Sequence, residues 1–579
     1  MPTTNQQLAA TFEQMAQIME ILGVDRFRIN AFSRAARSID ALAEDIAAIG
    51  CDMKALQKLD GVGKGTAERI CQFLDTGRID DHEDLKSKLP AGLLDLLDIP
   101  GLGPKKIALL WNDAGVESLA DLKAKLQGDE LADLPGMGKK TLENLRKSIA
   151  FAESAGDRVK IGIAMPLAEY FVAELGGRKD VKQIAYAGSL RRGKETIGDI
   201  DLLVAAATDD AGAISDAFVK FDCVADVLAN GATKSSIRTT DNLQVDLRIV
   251  EPNSFGAALM YFSGSKEHNV RLRERAIKQG MTLNEYRLAK GEKIVAQKTE
   301  QDIYKALGLP WIPPELREDR GEIDLAAKGT LPELVEVKDV KAELHAHTTA
   351  SDGRWSIEDY ALACHARGFH TVAITDHSKG QAQANGLDDK RLEQHIEAIR
   401  EVAARLKDKI TILAGSEVDI LADGKLDYPD SLLKELDVVV ASPHAALSQP
   451  PEAATKRLLR AIDNPYVTMI GHPTGRLIGR REGLSPDMKQ IIAAAAKRGI
   501  ALEINANHWR LDLRDTHARA AIEAGVKLAV NTDAHSEGDL DWLRYGILTA
   551  RRAGATKHDV VNCLSKAALA KWLTSTRED

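Results

Sequence analysis

Two aspartates, Asp199 and Asp201, stand at the head of an apolar run, DLLVAA. Side chains alternate faces along a strand, so the two carboxylates point one way while Ile200 and Leu202 point into a core. Paired carboxylates repel unless a cation sits between them, and hard oxygen donors suit Mg²⁺ or Mn²⁺. Just upstream, the Gly188-Ser189 turn offers backbone N–H groups, a hydroxyl and the Arg191-Arg192 pair to an anion. A phosphate chain bound there and metal ions held by the aspartates make a phosphoryl-transfer site. A third carboxylate is available at Asp246 in NLQVDLRIV. There Leu243, Val245, Leu247 and Ile249 form one face, and Gln244, Asp246 and Arg248 the other. Taken alone, Asp246 reads as the solvated edge of a strand; beside the sixteen-residue run YAGSLRRGKETIGDID it reads as a third ligand.

A second chemistry begins near residue 341. Twelve of the fourteen histidines lie at or after His345. Several end an apolar run, together with carboxylates: AELHAHTTASDG, VAITDHS, ILAGSEVD, VVVASPHA, MIGHPTG and LAVNTDAHS. Helical patterns such as RLEQHIEAIREVAARL lie between them. Polar residues at the C-terminal ends of strands that alternate with helices predict a β/α barrel with its site on that rim. Imidazole with carboxylate suits Zn²⁺, Mn²⁺ or iron, and so many donors imply more than one ion, able to generate hydroxide and clamp a phosphate. His365, His370, His395, His517 and His558 fall in or beside helical stretches and read as surface residues. His508 reads as structural.

The elements that position these groups follow from periodicity. Apolar residues recur at helical spacing in LAATFEQMAQIMEILG and FSRAARSIDALAEDIAAI. A helix–GxG turn–helix phrase then occurs three times, at 59–74, 97–111 and 132–150. Its glycine pairs are Gly61/Gly63, Gly101/Gly103 and Gly136/Gly138, followed by Lys64, by Lys105 and Lys106, and by Lys139 and Lys140. A helix N-terminus with free N–H groups beside lysines holds a phosphate without reading a base, which is the helix-hairpin-helix mode of DNA binding. Residues 156–253 read as an α/β unit that carries the acidic strands, followed by a segment over 254–316 with a further helix. Within the latter, Arg271 and Arg275 look like a solvated helix face. Residues 311–340 have Pro-Pro, mixed charge and little periodicity, which predicts a linker or extended wrap.

GSLRRGKETIGDID, LQVDLRI and YFSGSKEHNVRLR together resemble family X DNA polymerases, and the whole chain resembles the bacterial members with a C-terminal polymerase-and-histidinol-phosphatase (PHP) domain. The resemblance implies a multidomain fold: a helical helix-hairpin-helix N-terminal region, an α/β nucleotidyltransferase palm and a PHP-type β/α barrel. Its divisions would be a lyase-like DNA-binding domain (1–85), a helix-hairpin-helix subdomain (86–155), the palm (156–253), the nucleotide-side subdomain (254–316), a linker (317–340) and the PHP phosphoesterase domain (341–579). It implies that Asp199, Asp201 and Asp246 hold two Mg²⁺ (or Mn²⁺), with Asp246 nearest the primer 3′-OH. Gly188, Ser189, Arg192 and Gly198 would meet the triphosphate, Tyr261, Phe262 and Gly264 the sugar, Asn269 the base and Arg273 the templating side.

In the PHP segment the resemblance assigns nine ligands for two to three Mn²⁺ or Zn²⁺ ions: His345, His347, Asp352, His377, Glu417, His444, His472, Asp533 and His535. Asp376 and Arg476 would support them. An intact set implies 3′→5′ exonuclease or 3′-end phosphoesterase activity. In the N-terminal domain Arg28, Lys58 and Lys64 would hold a 5′-phosphate. Some family members use a Schiff-base lysine for lyase chemistry; that position here is Arg69, which stays protonated and cannot be an amine nucleophile. The function implied is short-gap filling in base excision repair, acting on gapped or primer-template DNA and dNTPs as a monomer.

Composition agrees with a cytoplasmic enzyme. The five cysteines are odd in number, form no C-x-x-C and lie far apart in sequence, which argues for a reducing compartment and against disulfides or a zinc ribbon. The N-terminus is not a signal peptide and no apolar run approaches a membrane span. The formal charge of −9 does not exclude a nucleic-acid partner, because metal-bound carboxylates are neutralised and a local basic stripe suffices. Two rival readings are a nucleotidyltransferase for a non-DNA acceptor fused to a histidinol-phosphatase-like domain, and a non-catalytic DNA-end scaffold. The three hairpins argue against the first, and the intact acids and histidines against the second.

Overall fold

The computed structural model describes residues 4–577 apart from 41–45, 60, 100–101, 127, 129, 133, 139–140, 144, 147–148 and 150–157. The chain divides into two compact units, residues 1–156 and most of residues 157–579.

The first unit is helical. Helix α1 (Thr4–Ile21) buries Leu8, Phe12, Met15 and Ile18, at spacings of three and four, against Phe32, Ala35 and Ile39 of α2 (Arg26–Asp40). The hairpin turns lead into α3 (Lys64–Thr76) and α4 (Pro104–Ala114), whose N-caps are Gly63 and Gly103. Neither glycine caps its helix through a side chain, so N–H donors remain for an anion. In the third turn Gly138 accepts from the N–H groups of Thr141 and Leu142 at 2.8 and 3.1 Å. The cysteines are free, but Cys51 and Cys71 prove to be neighbours: burial, then a hydrogen bond to Cys51, pushes the Cys71 thiol up to about 11. Their separation in sequence hid that contact.

The second unit opens with α5 (Ile161–Gly176), packed on a five-stranded sheet. Its strands are β1 (Gln183–Tyr186), β2 (Asp199–Ala205), β3 (Val224–Asn230), β4 (Lys234–Thr239) and β5 (Gln244–Val250), in the order β1-β2-β5-β4-β3. Only β2 and β5 run parallel, at the centre. Ile200, Leu202, Val245 and Leu247 are buried as the alternation predicts. Helices α6 (Phe255–Ser263), α7 (Lys266–Lys278) and α8 (Glu300–Ala306) and a three-stranded antiparallel sheet follow.

Residues 317–340 are not a loose tether. They contain α9 (Glu322–Lys328), and Arg317, Ile323, Ala326 and Val335 are buried. The charges that suggested solvent are partnered instead. Arg317 donates to Ile312 O at 2.8 Å and to Glu300 Oε1 at 2.6 Å. Arg191 makes a two-point pair with the same carboxylate at 2.8 and 2.9 Å.

The remainder is a seven-stranded, wholly parallel barrel whose strands neighbour in chain order. They are β6 (Ala342–Glu343), β7 (Thr371–Ile374), β8 (Thr411–Asp419), β9 (Val438–Ser442), β10 (Met469–Ile470), β11 (Ala501–Asn505) and β12 (Leu528–Asn531). A parallel bridge between Ala346 and Ala534 joins the chain just beyond β6 to that beyond β12, nearly closing the ring. The strands are buried on both faces, which is why they read as unbroken apolar runs. Around them lie α10 (Asp389–Leu406) and α11 (Leu543–Ala553), among others.

Burial alone would raise the Glu300 carboxyl, but Arg317 and Arg191 hold it down at about 2. A depressed acid stabilises the fold above its ordinary value of 4.5 and loses that contribution as pH falls towards 2. Glu300→Gln should therefore cost about 3–5 kcal/mol at neutral pH. Urea unfolding across pH should show the difference from wild type shrinking below pH 4.5; a difference independent of pH would contradict this account.

Candidate functional site

The palm centre forms where the parallel pair begins. Asp201 and Asp246 are register partners on β2 and β5, and Asp199 is partnered with Gln244. Ligand oxygens of Asp199, Asp201 and Asp246 lie within 4.8 Å of one another. Burial, then the charges of Asp199 and Asp246, push Asp201 up to about 7, against the pull of Arg248 and Arg192. Such a cluster suits a divalent ion, since each carboxylate is otherwise held beside its own kind. Gln244 donates to Asp246 Oδ1 at 3.0 Å, which orients it.

Gly188 opens the helical turn Gly188–Arg191 with φ +62°, and a Cβ there would lie 2.3 Å from Asp201 Oδ2. Both facts require glycine. Ser189 lies in this turn and Gly198 directly precedes β2. Arg192 donates to Glu318 Oε1 and to Ser263 O, each at 2.9 Å.

Tyr261 and Phe262 meet edge to face at the end of α6, and the Arg248 guanidinium lies 4.6 Å from the Phe262 ring centre. Gly264 is the C-cap of α6. Asn269 differs from expectation. It is buried, and its amide NH₂ donates to Tyr261 O at 2.7 Å and Gly264 O at 3.3 Å. Its amide thus holds the Tyr261–Gly264 segment in shape. Of the three arginines on α7, Arg271 pairs with Asp319 and Asp324, Arg275 donates to Leu307 O, and Arg273 is exposed.

All nine expected barrel donors converge at the C-terminal rim. His345, His347, Glu417 and Asp533 form one group, His347, Asp352, His377 and His535 a second, and His377, Glu417 and His444 a third. His472 Nε2 lies 2.8 Å from Glu417 Oε1. His377 and Glu417 are bridged strand neighbours, as are the residues flanking His347 and Asp533. His345 Nε2, His347 Nδ1, His377 Nδ1, both Glu417 oxygens and both His472 nitrogens are buried without a hydrogen bond. Orphaned donors crowded into one cavity are what a metal cluster requires. His472 (φ 25°) and Asp533 (φ 55°) also hold left-handed backbone, strained for side-chain-bearing residues.

The electrostatics fit the same use. Burial opposes the charge on Glu417, yet His444, His345 and His377 hold its carboxyl well below the ordinary range. Burial, then His377 and His535, lower His347 to about 4, so it is neutral and free to ligate.

A supporting layer escaped the sequence reading. Glu503 takes His345 Nδ1 at 2.7 Å and the His472 N–H at 2.8 Å; Asp419 takes His444 Nδ1. The contacts to His345 and His444 leave the other ring nitrogen of each facing inward, while the one to His472 anchors its backbone. An acid inside the apolar run ALEIN was the signal for Glu503. His395 is not a surface residue: it is buried on α10 and its Nε2 meets Asp376 Oδ2 at 2.8 Å. Asp376 in turn accepts from Thr348 and Ser351. Arg476 does not face the ligands; it pairs with Glu195 of the palm, at 2.6 Å by its closer nitrogen. Arg510 is the cation near the rim, 3.8 Å from Asp533 Oδ2. His508 packs against Trp509, Trp542 and Tyr545, as a structural residue should.

In the first unit Arg28, Lys58, Lys64 and Lys105 are exposed and Lys106 half-buried, while Gly61, Gly63, Gly103, Gly136 and Gly138 occupy the turns. Gly101, Lys139 and Lys140 lie outside the described residues. Arg69 is tied to Asp81 and to Gly65 O. Phe27, between Arg26 and Arg28, is 84% exposed, which helical periodicity did not single out.

Four family models match: a helix-hairpin-helix domain (residues 3–79), a SAM-like helix-hairpin-helix tandem (93–150), the DNA polymerase beta thumb (258–318) and the PHP domain (343–507). A Bacillus subtilis protein named DNA polymerase/3′-5′ exonuclease PolX is 38% identical over 557 residues, 96% of each chain. The chain belongs to the PolX family. Probable phosphatases of Thermoanaerobacter pseudethanolicus and Shewanella sediminis match part of the chain, at 31% and 32% identity over 235 and 203 residues. Those matches cover 38% and 33% of this chain and 89% and 77% of the relatives. The PHP match stops at residue 507, and Asp533 and His535 beyond it stand in the same donor groups at the rim.

His347 belongs to two of the donor groups and His535 to one. Equilibrium dialysis against Mn²⁺ should show His347→Ala losing more than one ion per chain and His535→Ala no more than one. Unchanged stoichiometry in His347→Ala would refute the shared-ligand arrangement.

Proposed function

We propose that the protein is a template-directed DNA polymerase that fills short gaps in base excision repair, carrying a separate 3′→5′ exonuclease in its barrel. The observation that carries the polymerase reading is the register pairing of Asp201 with Asp246, beside Asp199, beneath the Gly188-Ser189 turn. The printed name of the Bacillus subtilis relative supports both activities. Divalent ions, Mg²⁺ or Mn²⁺, would be held by the three aspartates and supply charge neutralisation for in-line displacement at the α-phosphate.

The chain's own residues do the rest. The N–H groups of the 188–191 turn, the Ser189 hydroxyl and Arg192 hold the triphosphate, with Gly198 leaving room beside it. Asp246 lies at the primer 3′-OH, Tyr261, Phe262 and Gly264 line the sugar, Asn269 shapes that wall near the base, and Arg273 faces the template. In the barrel the nine rim donors would hold two to three Mn²⁺ or Zn²⁺ ions, which would supply a nucleophile and a clamp for a 3′-terminal phosphodiester. Arg510 offsets the charge of the strand as it enters. The hairpin turns and the exposed basic residues of the first unit hold duplex phosphates, which a small acceptor would not need. No helix among the described residues is long and apolar enough to cross a membrane, and a cytoplasmic monomer is the working state we assign.

Asp199→Ala with Asp201→Ala should abolish primer extension, by at least about 10³-fold, and leave 3′ resection intact. His345→Ala with His347→Ala should do the reverse. One gapped duplex assayed for both products decides it, and loss of both activities from either pair would break the two-site assignment. A 5′-deoxyribose phosphate substrate treated with borohydride should give no efficient adduct, since Arg69 is bound to Asp81 and the nearby amine, Lys64, sits at the turn. An adduct at Lys64 would overturn that expectation.

A further inference from the structure

Helix α11 of the barrel presents Arg544, Leu548, Arg551 and Arg552 at spacings of three and four, so one face carries them all. That face meets the palm and the C-terminal end of the thumb. Arg544 pairs with Glu169 of α5 at 3.0 Å, and Arg551 donates to Glu315 at 2.7 Å. Gly193, directly after Arg192, has φ +67°, and a Cβ on it would stand 3.2 Å from the Leu548 Cβ.

Arg552 goes further. Its Nη1 donates to the backbone carbonyl of Arg192 at 2.8 Å and to Glu318 Oε1 at 2.9 Å. Its Nη2 lies 2.9 Å from Asp515 Oδ2, which fixes the guanidinium from behind. Glu318 Oε1 is also the oxygen that takes Arg192 Nε. One carboxylate oxygen is thus shared by a barrel arginine and a palm arginine. The side chains of Arg552, Glu318 and Arg192 are 5%, 9% and 11% exposed, so water competes little for these bonds. Nε and Nη1 of Arg192 are bonded to protein; Nη2 has no hydrogen-bond partner among the described residues. Arg192 is close enough to Asp201 to pull its carboxyl down.

We propose that Arg552, a barrel residue, is a positioning residue for nucleotidyl transfer: through Glu318 and the Arg192 carbonyl it aims the Arg192 guanidinium at the incoming triphosphate. This rests on the reading of Arg192 as a triphosphate ligand. The barrel then serves polymerisation by geometry, independently of its own metal centre. Arg552 reaches both the side-chain and the main-chain anchor of Arg192. A lysine could reach one of them, because a single ammonium cannot bridge three acceptors in a fixed fork.

The test uses the full-length protein on a gapped duplex, with kcat and KM for dNTP, 3′ resection in Mn²⁺, and thermal melting recorded for each variant. R552Q should raise KM for dNTP about 10-fold with a smaller loss of kcat, as expected for a misaimed ligand, and leave resection unchanged. R552K should fall between R552Q and wild type. In an R192Q background R552Q should add nothing, because there is no guanidinium left to aim. Should R192Q itself leave the dNTP KM unchanged, the reading of Arg192 is wrong and the positioning proposal falls with it. Should R192Q raise KM while R552Q and R552K do not, or should their effects simply multiply, the proposal fails and the reading of Arg192 stands. If R552Q melts early and loses both activities, R552K decides by the same KM comparison.

Discussion

Donor groups held face to face across a parallel strand ladder are the constraint on which both centres depend. Neighbouring strands run about 4.8 Å apart, roughly twice a metal–oxygen or metal–nitrogen distance of about 2.1–2.4 Å. Two donors in register on adjacent parallel strands are therefore spaced to share one cation, and where both are carboxylates, as in the palm, they repel each other without it. Asp201 and Asp246 stand in that relation in the palm, and His377 and Glu417 in the barrel. The palm contains a single parallel pair and has one such centre; the barrel is parallel throughout and gathers donors from strand after strand.

The two centres differ in their surroundings. In the palm, Asp199 is exposed and the triad has little support beyond Gln244. Solvent reaches it, and ions can arrive together with a phosphate chain. In the barrel, His345, His347, Glu417 and His472 are fully buried, and Glu503 and Asp419 orient the imidazoles from outside. Burial of that kind, with the inward nitrogens left unbonded, favours ions that stay with the protein. The difference follows from topology: a closed ring has a rim sheltered on every side, and an open sheet does not.

Much of this could be read from residue order. Asp-x-Asp at the head of an apolar run fixes the facing of its carboxylates through a period of two, and histidines that terminate apolar runs mark a barrel rim. What escaped reading has a common physical cause. Glu503, Asp419 and His395 act through the back of another side chain, and nothing in their local spacing reports a partner dozens of residues away. Arg476 was misplaced because it follows His472 closely, yet the loop after a strand end turns it outwards to Glu195. Residues 317–340 looked solvated because charge density normally means water. Here Arg317 and Glu318 are buried because each meets its opposite at close range.

The adjacent arginines 191 and 192 illustrate how little residue type says about role. Successive residues of a helical turn point about 100° apart, so a single turn sends one guanidinium to Glu300 and the other to Glu318. Arg191 finds a carboxylate that it shares with Arg317, and a two-point pair uses both its terminal nitrogens. Arg192 is held by Nε and one terminal nitrogen, which leaves the other without a hydrogen-bond partner among the described residues. The same chemistry is locked in one case and held half-open in the other. The difference lies in which thumb carboxylate each one meets, and in the barrel arginine that pins the second carboxylate in place.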